Sequence, residues 1–266
     1  MAEQGTMTLA QLMTLTRQQA DQIIANYVPT TSGNTSLFIT DSELISYINQ
    51  SYYELYDLLI QKYGDDYFVA PPVSFRTDGT SFLYPLPDGT ILSGAPAFYK
   101  VLGLDLNLNQ SNSSGSPSFI TIPPFMFAER NRYSVPNMQA FYGLTNLRYR
   151  LQGNNVWFTP TPAAGQLIQL WYIPRLTQLV NLTDVIDGVS GWTEYLVVDV
   201  SIKMMQKEES DVTVLMAQKE ALIKRIEAAA ENRDAGNPQV VSDTQSQNWF
   251  GSDSGWGWGN GTGGFL

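Results

Sequence analysis

Paired carboxylates are the residues whose type and spacing most suggest chemistry: Asp65-Asp66, Glu208-Glu209, and Asp184 with Asp187. Two carboxyl groups flanking a glycosidic bond can divide acid and base work. Here, however, the first pair follows a predicted helix end and the second joins two predicted helices. Solvated loop acids are the simpler reading. Asp184 and Asp187 would supply part of a calcium shell, but a dedicated loop brings about six oxygens or more at regular spacing. Turn formation and helix capping suit them better. The chain has no histidine and no cysteine, which removes the commonest neutral-pH base, the commonest metal ligand, thiolate chemistry and disulfides. No G-x-x-x-x-G-K-[ST] segment cradles phosphate. The run Gly257-Trp258-Gly259-Asn260-Gly261 has neither the strand nor the helix that a dinucleotide fingerprint needs. The sequence reads as a non-enzyme without cofactor or metal.

The second concentration of informative residues lies at the C-terminus. Three of the six tryptophans, Trp249, Trp256 and Trp258, fall there with Phe250, Phe265 and Leu266, among seven glycines between 251 and 264. Glycine raises the entropic cost of ordering this backbone, and no apolar period holds it to a core. Large aromatics on flexible spacers suit pockets on a neighbouring surface. Residues 237–266 therefore read as an extended docking tail that orders on a partner, rather than a frayed terminus.

Four helices and a β-rich middle position these groups. Thr8 and Gln11 have capping-box spacing before a helical stripe (Leu9, Leu12, Met13, Ala20, Ile23, Ile24, Tyr27), predicting a helix over 9–27. Thr40 and Glu43 open a second, over 41–63, ending at Gly64. Its Tyr52, Tyr53 and Tyr56 have the spacing of a core stripe. From Pro71, short Val-, Phe-, Tyr- and Ile-rich runs predict strands over 73–76, 82–86, 98–106, 119–122, 147–152, 156–159 and 166–173, with a helical turn over 125–132. Asp78-Gly79 predicts a tight hairpin between the first two, and the last three read as an antiparallel meander. The segment 107–118 reads as a mobile polar loop. Helices over 192–206 and 211–233 follow, the second capped by Ser210 or Asp211.

The resulting expectation is an α+β fold. A bundle of four helices, two N-terminal (1–70) and two C-terminal (176–236), carries an inserted antiparallel β-rich lobe (71–175) and the tail 237–266. With 43 % hydrophobic residues the chain can bury a substantial core. A net charge of −10 with only 15 Lys and Arg argues against wrapping nucleic acid. It permits an acidic wall facing DNA without adhering to it. No apolar run approaches the roughly eighteen residues of a membrane span, and the N-terminus lacks a signal-peptide pattern, so synthesis in the cytoplasm is expected.

The series Val156 to Gly165 (VWFTPTPAAG), Leu170-Trp171-Tyr172-Ile173-Pro174, Gly191-Trp192-Thr193-Glu194-Tyr195-Leu196 and Lys207-Glu208-Glu209-Ser210-Asp211 resembles the head-to-tail adaptor, or connector, proteins of tailed bacteriophages. The similarity covers about a third of the chain and is structural in kind. It implies a virion protein of the phage neck, made in the host cytoplasm. In that role a homo-oligomeric ring, a dodecamer by analogy with portal symmetry, binds the portal protein and extends the DNA channel without sequence-specific contact. The ring then offers a platform to tail or nozzle proteins. It also implies that a C-terminal extension embraces the portal or neighbouring subunits. Two rivals are a carbohydrate- or receptor-binding β module of a phage tail, with Trp157 and Trp171 on an exposed sheet face, and a cell-wall hydrolase using Asp184.

Overall fold

The computed structural model describes residues 7–20, 27–31, 37–90, 95–108, 118–132, 147–186, 189 and 191–231. The chain divides into two units, Met1–Glu231 and Asn232–Leu266, and every described residue belongs to the first.

Helix α1 (Leu9–Gln19) starts at a complete capping box: Thr8 Oγ1 accepts from the Gln11 N–H and the Gln11 side chain accepts from the Thr8 N–H. The next orphan donors are met from far away in sequence. The Leu9 and Ala10 N–H groups donate to the carbonyls of Asp184 (2.9 Å) and Leu182 (3.1 Å), and the Ile186 N–H donates back to the Met7 carbonyl. The helix ends at Gln19, short of the predicted 27. Its C-cap, Ala20, leaves helical geometry, and Ile23 and Ile24 lie outside the described residues. Helix α2 (Asp41–Tyr63) runs from the Thr40 cap to Gly64, whose φ of +84° turns the chain out of the helix. It buries Leu44, Ile48, Tyr52, Leu55 and Leu59 at helical spacing.

Helix α3 (Thr193–Lys207) is buried on more than one side and contacts α1, α2 and α4. Where α1 meets it, Ser201 lies fully buried, its hydroxyl donating to the Val197 carbonyl. Helix α4 (Thr213–Glu231) follows a turn in which Glu209 has φ +56° and Asp211 accepts from the Thr213 N–H and hydroxyl. All four helices contribute to one apolar cluster, from Leu9 and Leu12 of α1 to Leu222 and Ile226 of α4.

The strands form two antiparallel sheets. One has the order β1 (Val73–Arg76), β7 (Leu167–Pro174), β3 (Phe98–Asn107), β4 (Phe119–Ile122); the other has β2 (Leu83–Pro85), β6 (Asn155–Thr159), β5 (Arg148–Gln152). Their inner faces share a second cluster, with Leu104, Ile122, Ile168, Leu170 and Tyr172 meeting Tyr84, Leu86, Val156 and Phe158. A third cluster joins helix to sheet through Tyr56, Ile60 and Ile173. Among the described residues, four helices and antiparallel sheets make the fold α+β.

Two predicted pairings are overturned. The Asp78-Gly79 segment does not close a β1–β2 hairpin, because β1 pairs with β7 and β2 with β6. The backbone groups such a hairpin would use are taken: the Thr77 N–H donates to the Gln166 carbonyl and the Gly165 N–H to the Thr77 carbonyl. Asp78 instead gathers the Thr80 and Ser81 N–H groups and the Tyr84 hydroxyl, steering the chain from one sheet to the other. Nor do β5, β6 and β7 form a meander. Both edges of β6 are occupied, by β2 and β5, and Pro160 and Pro162 carry no N–H with which to extend a ladder, so β7 pairs between β1 and β3. The predicted helical turn over 125–132 is a single 3₁₀ turn, Phe127–Glu129.

Candidate docking surface and polar networks

The six residues singled out for docking, Trp249, Phe250, Trp256, Trp258, Phe265 and Leu266, lie outside the described residues, as do Asp187 and residues 109–117 of the polar loop. Two of the remaining candidate acids, Asp65 and Asp184, are engaged in structure. Asp65 pairs with Lys100 at 2.6 Å. Asp184 accepts from the Val180 and Asn181 N–H groups, which hold its carboxyl below the usual carboxylate range. It closes the loop whose carbonyls cap α1, a turn-forming role. Tyr52 and Tyr56 are core residues, and the Tyr56 hydroxyl donates to the Pro174 carbonyl at 2.8 Å. Among the described residues, no group of three or more Asp and Glu is placed to hold a metal ion, and no helix is long and apolar enough to cross a membrane.

Buried charge is concentrated in two networks that sequence reading missed. Arg17 and Asp41, 2 % and 0 % exposed, pair at 2.9 Å, with the Arg17 guanidinium also donating to the Ile39 carbonyl. Asp41 further accepts from the Tyr27 hydroxyl and from the Thr30 N–H and hydroxyl. Burial, reinforced by the Asp41 carboxylate, pushes the Tyr27 phenol up to about 12 despite the opposing Arg17. In the second network, Asp199 Oδ1 takes Lys219 Nζ at 2.5 Å and Oδ2 takes Lys203 Nζ at 3.0 Å. Lys203 also reaches Glu54 and the Ser51 hydroxyl, tying α2, α3 and α4 together. Burial would raise the Asp199 carboxyl, but bonds from Lys219, Ser51 and Lys203 outweigh it and hold it below its ordinary value. Glu54, Lys203 and Lys219 line a groove of about 620 Å³ whose charges are mutually satisfied. The signal was present as Asp199-x-x-x-Lys203, an i,i+4 pair on the buried side of a helix.

The outer face of the β2–β6–β5 sheet differs from the rest of the described surface. Leu83 and Arg150 flank Trp157 in register, one on each neighbouring strand. The Trp157 ring contacts Phe82 at 6.3 Å, Phe125 at 5.5 Å and Phe127 at 5.9 Å between centroids. Two guanidiniums approach the Phe127 ring, Arg130 at 4.5 Å and Arg150 at 5.5 Å. Phe82 and Phe127 are each 49 % exposed and Met126 is 73 % exposed. Trp171, which the glycan-binding reading placed beside Trp157, lies on β7 in the other sheet and donates its indole N–H to Asp105 at 2.7 Å. The two indoles therefore do not form a shared ligand platform.

A helical core joined to sheets that expose aromatic and cationic side chains has the character of an assembly protein. The family description SU10 adaptor protein matches residues 7–243, and the chain belongs to that family of phage structural adaptors. It is thus a virion structural protein of the head-to-tail adaptor type. A search of curated proteins finds no match. The aromatic run from Trp249 onward lies beyond the matched span.

Proposed function

We propose that this chain forms the head-to-tail adaptor ring of its virion, binding beneath the portal protein, extending the DNA channel and presenting a platform to tail or nozzle proteins. The observation that carries the reading is the family match over residues 7–243. Residues 1–70 and 176–236 build the ring wall, and 71–175 project toward tail components. Residues 237–266 strap each subunit to the portal or a neighbouring subunit through Trp249, Phe250, Trp256, Trp258, Phe265 and Leu266. A net charge of −10 suits a wall that DNA slides past without sticking. Twelve copies would match portal symmetry.

The strap supplies the test. Ordering a glycine-rich segment is costly unless a partner surface offsets the loss, so free subunits stay apart and assembly is sequential. Deleting 237–266 leaves circular dichroism and thermal unfolding of the remaining chain near those of the full protein while abolishing attachment to DNA-filled heads. Unchanged attachment refutes the strap.

A further inference from the structure

The outer face of the second sheet is locally basic in an acidic protein. Arg130 and Arg150 both reach the Phe127 ring there, and beside them Arg132 pairs with Glu129 at 3.5 Å. Neither Arg130 nor Arg150 has a carboxylate partner among the described residues; both are held against the Phe127 ring instead. Beside them, Met126, Phe127 and Phe82 leave large apolar surfaces exposed, and Trp157 braces both phenyl rings from beneath. Pre-positioned aromatics, methionine and arginine are the composition of a protein-binding patch. Two available cations and a chain of net charge −10 are a weak basis for holding a phosphate backbone.

We infer that this face docks an acidic segment of another virion polypeptide, one that presents Asp or Glu to Arg130 and Arg150 and lays an aromatic or aliphatic side chain between Phe127 and Phe82. The inference rests on the adaptor reading and specifies the chemistry of one contact. The carboxylates complete the charge that this surface lacks, while the apolar side chain covers Met126 and the Phe127 edge. Because the guanidiniums already stack on Phe127, little of their freedom is lost on binding.

The test is photocrosslinking in the virion. A benzoylphenylalanine placed at Met126, the most exposed of these positions, is irradiated in purified particles and its adducts are sequenced by mass spectrometry. Expected are adducts with a different polypeptide, in a segment bearing Asp or Glu next to an aromatic or aliphatic residue. Their yield should fall roughly tenfold in an Arg130→Glu/Arg150→Glu background, with thermal unfolding unchanged. Adducts with this chain itself, including its 237–266 segment, with DNA, or with a segment free of carboxylates overturn the inference. So does an absence of adducts in particles that contain the protein. If the protein is absent from purified particles, the adaptor reading fails first and the inference with it.

Discussion

Asp199 is a carboxylate held between two lysines in the interior of the helical core, and its ionisation is built into the packing of α2, α3 and α4. Its folded-state value is depressed, so its contribution to stability is present above the ordinary carboxylate range and is lost as pH falls through that lowered value. Asp199→Asn retains the volume but not the charge. The substitution should cost roughly 1.5–3 kcal/mol at neutral pH, the scale of hydrogen bonds to charged groups. Urea titrations of both proteins should converge in acid, where the native carboxylate is itself protonated; a gap that persists there would assign the loss to packing. Tyr27 behaves oppositely. Its phenol is raised from 10.0 to about 12, so its contribution is complete below the first value and lost as pH rises through the second. The i,i+4 spacing of Asp199 and Lys203 is legible in the sequence, but the burial of Asp199, its second partner Lys219 and the Asp41 partner of Tyr27 are not. Asp199 follows Val197 and Val198, and Asp41 opens a helix like any first-turn acid; only the fold shows that cations converge on them.

At the scale of elements, the crossing between the two sheets depends on Gly79. Its φ is +82°, and a Cβ there would meet the Ala164 Cβ and backbone nitrogen at 2.8 Å. Gly79→Ala should therefore destabilise by roughly 1–3 kcal/mol through strain at a left-handed position and collision with the turn preceding β7. Differential scanning calorimetry would register it, with Gly153→Ala, whose Cβ meets nothing, as the comparison free of collision. The starts of α1 and α2 and the end of α2 were legible because caps are local signals: Thr8 with Gln11, Thr40 with Glu43, and Gly64 all act within a turn of the residues they bound, whereas the end of α1 at Gln19 was missed. Strand positions were legible for the same reason. Strand partners were not, because β1 is completed by a strand that begins only at Leu167, and a local turn motif carries no information about that edge. The aromatic face was hidden likewise, since Phe82, Phe127 and Trp157 come from three separated segments.

For the molecule as a whole, adaptor behaviour predicts an all-or-none stoichiometry on a symmetric partner. Mass photometry of purified portal rings with added chain should show growth toward one subunit per portal protomer, while the chain alone stays small; a portal peak that never shifts would count against the ring. Long-range closure in the described body is also visible at its first helix. The donors that open α1 are satisfied by Leu182 and Asp184, and Thr8 bridges Val185. As the protein leaves the ribosome, α1 therefore emerges early but has nowhere to seat until more than half the chain has followed. The helical core can close only late in translation, so pausing or truncation upstream of Leu182 strands an amphipathic helix for chaperones or proteases to find.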